Sequence, residues 1–201
     1  MSFSLKRGSI YAVVGENGSG KSTLINILCG LEHGYTGQIT VNGVDFKKID
    51  LHHFKKHLLS VVEQEPSLFF KTIKDNITPD DCDTNSTIYW IERLNLSELI
   101  SAFDAGLDHC ISEKTSNLSG GEKQKFAVVR ALAKNTDVII LDEPNSAFDQ
   151  DSTNLLCEIL QSLKSNKIII VVTHSQALIE NSDAVISLAA TQSNTTSSGC
   201  I

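Results

Sequence analysis

The sequence predicts an α/β fold: a mostly parallel sheet covered by helices, with an antiparallel β hairpin element and a small helical subdomain. Three observations predict it. A glycine-rich loop, GENGSGKST (15–23), joins an apolar, β-branched run to a helical pattern. The last third of the chain alternates strand and helix patterns, which implies parallel strands with crossovers over both faces. The middle, roughly 66 to 117, carries Pro66, Pro79 and helical patterns but no buried-strand run.

The elements follow in order. Ile10 to Val14 is apolar throughout and predicts a buried strand. LINILCGL (24–31) has helical spacing, with the helix beginning near Lys21 and Gly30 near its end. QITVNGVDF (38–46) predicts a tight hairpin at Asn42-Gly43, because these residues accept the positive φ such a turn needs. LLSVV (58–62) is another buried-strand candidate. In TIYWIERLNLSELISAF, Ile88, Ile91, Leu94, Leu96 and Leu99 mark an apolar helical face. Next come a helix over 120–134, strand DVIILD, a helix over 152–163, strand KIIIVVT, a short helix and strand AVISL. One domain over 1–189 is expected, with its core in 1–65 and 118–189 and the helical subdomain at about 66–117. Residues 190–201 are small and polar and are expected to be disordered.

Composition narrows the function. A chain of 201 residues with 41% hydrophobic residues is long enough to bury a core. A net charge of −7 and a pI near 5.3 argue against a nucleic-acid backbone as main partner. No apolar run approaches the ~20 residues that span a bilayer, and MSFSLKRGS lacks the apolar core of a signal peptide. Five scattered cysteines, with no C-x-x-C pair, read as reduced and mostly packing residues. His52, His53 and His57 lie in a Lys-rich helical stretch and read as a solvated face.

The loop carries the first chemistry. Gly15, then four residues, then Gly20-Lys21-Ser22 is the P-loop pattern of nucleoside triphosphatases, and it makes the predicted fold a P-loop NTPase core. Glycines let successive N–H groups turn inward into a nest for phosphate oxygens. The candidate nucleotide-binding set is Gly15, Asn17, Gly18, Ser19, Gly20, Lys21, Ser22 and Thr23. Lys21 reaches the outer phosphates as a point charge, and the Ser22 hydroxyl ligates Mg²⁺. DVIILDEP (137–144) adds Asp142, placed to hold Mg²⁺ through water, and Glu143, placed to polarise an attacking water as general base.

LSGGEKQ (118–124) separates this chain from other P-loop proteins. Ser119, Gly120 and Gly121 open a helix and make a second anion-binding terminus. Ser119 with Glu122 also reads as a capping box, which leaves the two glycines unexplained. A second phosphate-binding terminus in one chain suggests that two chains grip each nucleotide.

Between a P-loop and an LDEP strand, LSGGEKQ resembles the signature of ABC-transporter ATP-binding domains, and the resemblance runs from Phe3 to about Leu188. It implies further roles. Gln64 in VVEQEPSLF matches the glutamine that contacts Mg²⁺ and water and reports to the membrane subunit. NSAFD (145–149) resembles the D-loop, with Asp149 its aspartate, and His174 matches the switch histidine at the γ-phosphate. Glu143, His174 and Gln64 are then the catalytic set, and Ser22, Gln64 and Asp142 the Mg²⁺ set. The resemblance also implies ATP as ligand, head-to-tail pairing with a second ATP-binding domain as a homo- or heterodimer, a transmembrane permease subunit or domain as partner, and a place at the cytoplasmic face of the membrane. EQEPSLFFKTIKDNI (63–77) and FDAGLDHCISEKTSNLSGG (103–121) resemble exporter sequences, although ISEKTSN stands where many exporters have a TEVGERG-like motif. Family members usually carry further residues before SFSLKRG, including an aromatic that stacks on adenine. Tyr11 lies inside a strand and is poorly placed to replace it, so either the chain is cut from a longer transporter or its purine grip is weakened. The alternatives are a soluble ABC-type ATPase without a membrane subunit, a regulatory module that holds ATP without turnover, and a P-loop small-molecule kinase.

Overall fold

A computed structural model describes residues 2–80, 82–112 and 118–189. Part of ISEKTSN (113–117) and the expected disordered tail (190–201) lie outside these residues. Five strands form one sheet in the order β4-β5-β6-β1-β7. They are β1 (Ser9–Gly15), β4 (Leu59–Val62), β5 (Val138–Asp142), β6 (Ile168–Val172) and β7 (Ala184–Leu188), and every pairing is parallel. The expected hairpin is a separate pair, β2 (Thr40–Val41) and β3 (Val44–Asp45), turning through Asn42 at φ 51° and Gly43 at φ 80°.

Period-two alternation along the inner strands feeds two apolar layers. Ile139, Leu141, Ile169 and Val171 face one side, which is covered by α6 (Gly120–Ala133), α7 (Gln150–Leu163) and α8 (Gln176–Glu180). Ile140, Ile170 and Val172 face the other, together with Ile25 of α1 (Lys21–Leu28), Phe46 and Phe54. Phe54 follows α2 (Leu51–His53) and opens a π-helical turn over 54–58, and His52, His53 and His57 beside it are exposed as expected.

The middle of the chain supplies α3 (Ile73–Ile77), α4 (Thr84–Arg93) and α5 (Ser97–Ser101). α3 and α4 pack on α6, so Ile73, Ile77, Trp90 and Leu94 join the first apolar layer. The apolar face expected over 87–103 needs correction. Asn95 is left-handed, φ 55°, and ends the helix, so the periodicity restarts. The buried face of α4 is Thr87, Trp90 and Ile91, whereas Ile88 is 39% exposed. Another boundary moves as well: α7 begins at Gln150 rather than 152, because Asp149 caps it by accepting from Ser152 N at 2.8 Å. Cys29 and Cys157 are buried packing residues, and burial pushes the Cys29 thiol up to about 11. Cys110, by contrast, is exposed.

Candidate active site

Parallel register brings the sequence-predicted residues to one end of the sheet. Val62 pairs with Leu141, Leu141 with Val171, and Val171 with Ala12. The next residues along are Gln64, Asp142-Glu143, Thr173-His174 and the P-loop from Gly15, all at or just beyond the carboxyl ends of the strands. This is where open α/β sheets bind ligands.

The P-loop is built to leave donors exposed. Gly18 and Gly20 hold left-handed φ of 81° and 94°, and a Cβ on either would meet nothing within 4 Å. Gly15 is the opposite case. A Cβ there would lie 2.5 Å from Ser19 Oγ and 2.7 Å from the Leu188 carbonyl, so its bare Cα lets the loop close onto β7. α1 starts at Gly20 with no side-chain cap, which leaves its first N–H groups unpaired by any side chain. Lys21 Nζ donates to the carbonyls of Gly15 at 2.6 Å and Glu16 at 3.1 Å, inside its own loop. The Ser19 hydroxyl is buried and has no partner among the described residues, while Asn17, Ser22 and Thr23 are exposed. An uncapped terminus, an adjacent cation and an orphaned hydroxyl fit a phosphate ligand.

Asp142 ends β5 and Glu143 follows it. Burial raises the Asp142 carboxyl above the usual carboxylate range, the Glu143 charge adds to this, and Lys21 opposes it. That balance suits a carboxylate awaiting a cation. Glu143 sits at φ 45°, a costly conformation for a non-glycine residue, and is held there by its N–H on the Val172 carbonyl at 2.9 Å. His174 Nε2 lies 3.6 Å from Glu143 Oε1, with His174 exposed and Glu143 largely covered. Gln64 is exposed on a groove of about 630 Å³ that it shares with Gly120, Lys123, Ser146 and Ala147.

The terminus of α6 is satisfied from within. Ser119 Oγ accepts from Glu122 N at 3.2 Å, and the Glu122 carboxylate accepts from Ser119 N at 2.7 Å. The predicted capping box is therefore present. Gly120 and Gly121 lie against Ala147 of the D-loop segment. The P-loop and Ser119–Gly121 thus have different neighbours within one chain.

Two supporting side chains escaped the sequence analysis. Gln124 is 1% exposed and donates through Nε2 to the Glu63 carbonyl at 3.3 Å, tying α6 to the residue before Gln64. Its only signal is a polar residue on the buried helical face of Ala127, Val128 and Ala131. Thr173 is fully buried; its hydroxyl accepts from Ser175 N at 3.0 Å and donates to Asn145 Oδ1 at 3.5 Å. It links the His174 strand end to the D-loop, and nothing in its sequence context marks it.

A parallel sheet with a P-loop at its carboxyl edge and an acidic pair on a nearby strand defines a P-loop nucleoside triphosphatase fold. The chain belongs to the ABC transporter family, whose model matches residues 1–146. It is 34% identical over 188 residues to ABC transporter B family member 1 of Dictyostelium discoideum, covering 92% of this chain and 21% of that protein. It is also 34% identical over 188 residues to the ATP-dependent lipid A-core flippase of Saccharophagus degradans, covering 92% of this chain and 32% of the flippase. The solved structure of a bacterial Atm1-family ABC exporter with ATP bound superposes with a TM-score of 0.86 at 28% identity, over 94% of this chain and 33% of that one. The chain thus spans between a fifth and a third of the length of these relatives. Members of this family bind ATP, generally with Mg²⁺, and are ATPases in general.

Proposed function

We propose that this chain is the ATP-binding and ATP-hydrolysing part of an ABC exporter, working as a head-to-tail pair that drives membrane subunits or domains. The observation that carries the reading is the meeting of Glu143 with His174 at 3.6 Å beyond the carboxyl ends of β5 and β6, the end of the sheet at which β1 leads into the P-loop. In this reading Lys21 and the P-loop amides of one chain hold the phosphates. Ser119, Gly120 and Gly121 of the second chain complete the site from the other side. Glu143 takes a proton from the attacking water as the bond to the γ-phosphate breaks, and His174 contacts the γ-phosphate. Ser22 and Asp142, with Gln64, would hold Mg²⁺, which would supply charge neutralisation at the phosphates. Loss of the γ-phosphate removes the contacts that join the two chains, so the pair loosens.

Residues 66–117 are then the helical subdomain on a core of 1–65 and 118–189, with Gln64 at its hinge. No helix among the described residues is long and apolar enough to cross a membrane. In this reading a transmembrane permease subunit or domain forms the transport path, with this chain at the cytoplasmic face. Export is supported by the exporter-like segment 63–77 and by the named relatives.

Glu143→Gln tests the proposal. The amide cannot accept the water's proton, so turnover should fall by roughly 10²–10⁴-fold while ATP binding persists. Gel filtration of this variant with ATP should show a dimer that dissociates when ATP is removed. Wild-type turnover in Glu143→Gln would remove Glu143 as base, and a persistent monomer would remove the paired-chain mechanism.

A further inference from the structure

The two glycines after Ser119 stand in different surroundings. A Cβ on Gly120 would lie 3.6 Å from Ala147 Cβ, an ordinary contact. A Cβ on Gly121 would lie 2.5 Å from the Ala147 carbonyl oxygen and 3.5 Å from its carbon. We infer that Gly121 is a positioning residue for its own chain's Glu143, acting through the D-loop segment 145–149; the catalytic half of this inference rests on the ATPase reading above. Backbone sits on both sides of the contact, so no rotamer change relieves it.

α6 is the less movable side. Phe126, Val128 and Val129 are fully buried in the sheet's apolar layer, and Gln124 is bonded to Glu63. The D-loop must yield instead, and it is short and pinned at both ends. Toward α7, Asp149 caps the helix and Lys125 Nζ lies 5.8 Å from the Phe148 ring centroid. Toward β5, Phe148 N donates to the Asn145 carbonyl at 3.1 Å, and Ser146 N donates to the Glu143 carbonyl at 3.1 Å. A displaced Ala147 is therefore taken up in the Ser146–Glu143 turn. Glu143 already holds a positive φ, so that turn has little freedom to absorb a shift without moving the carboxylate against His174. Gly121 thus keeps Glu143 in place from within the chain, whatever Ser119–Gly121 does toward a partner.

The test is amide hydrogen exchange on the isolated chain, with ATP affinity and turnover measured on the same preparations. Gly121→Ala should speed exchange at the Ser146 and Phe148 amides about tenfold and leave Ile169–Val171 unchanged, as a local opening does. It should lower kcat roughly tenfold to a hundredfold, with ATP affinity of the isolated chain within about twofold, because a misplaced group costs rate rather than binding. Gly120→Ala should leave exchange at those two amides unchanged. Adding Ala147→Gly to Gly121→Ala should restore part of the slow exchange, since glycine lets the carbonyl swing aside. Unchanged exchange at Ser146 and Phe148 in Gly121→Ala overturns the inference. So does faster exchange across Ile169–Val171, which would make the effect global. If the wild-type chain hydrolyses no ATP, the ATPase reading fails, and the exchange data still decide whether Gly121 positions the loop.

Discussion

Two helix N-termini in this chain begin among glycines, and they are built in opposite ways. α1 starts from left-handed Gly20 with no side-chain cap, and its P-loop glycines 18 and 20 open onto empty space. α6 starts from Ser119 with a complete capping box, and Gly121 is pressed against backbone. The first leaves backbone donors that no side chain caps. The second is already satisfied and holds its shape alone. The P-loop end carries other unfavourable features too: an orphaned Ser19 hydroxyl, a half-buried Asp142 beside Glu143, and Glu143 at positive φ. The unfavourable features thus gather at the P-loop end, while the α6 terminus is self-sufficient within its own chain.

Substitutions at the two termini should therefore fail differently. The largest effect is expected for Lys21→Ala. Removing the cation from the P-loop should weaken ATP binding by roughly a hundredfold or more, since a charge-assisted contact to phosphate is lost. Equilibrium binding to a fluorescent ATP analogue measures it, and near-normal affinity would break the contrast at its stronger end. Asp142→Asn comes next and acts in two directions. The native Asp142 pKa is raised above 3.8, so the folded chain holds that proton more tightly than the unfolded one. The sign follows: stability contributed by this group is lost as pH rises from the unfolded value through the raised folded value. Asp142→Asn should melt higher than wild type at neutral pH without nucleotide, the advantage vanishing below about pH 3.8, while Mg²⁺-dependent turnover drops. A lower melting temperature at neutral pH would contradict the idea that this end stores instability. Ser119→Ala is the smallest effect. Loss of the cap should cost about 1 kcal/mol, roughly 2–4 °C in Tm, with ATP affinity of the isolated chain unchanged. Weaker binding in the isolated chain would mean that the two termini are less separate than their neighbours indicate.

Much of this was legible in the chain itself. Strand runs such as IIIVV and VIIL are apolar on consecutive residues because both faces of a parallel sheet are covered, and that pattern survives in the sequence unchanged. Gly-Lys-Ser after a strand, the Asn-Gly turn and the Ser119–Glu122 spacing are local instructions, carried by backbone φ and short-range hydrogen bonds. The family and the end of the sheet that carries the site follow from them. The break at Asn95 was not legible, because Ile88 and Leu96 fit one helical repeat until a left-handed residue resets it. Thr173 and Gln124 were hidden for another reason: each becomes informative only when a partner from a distant element arrives, Asn145 for one and the Glu63 carbonyl for the other. The glycines are the clearest division. Composition alone writes Gly15, Gly18, Gly20, Gly120 and Gly121 in the same letter. Tertiary packing decides that Gly15 and Gly121 are glycine because backbone crowds them, and that Gly18 and Gly20 are glycine because φ demands it with space left open in front.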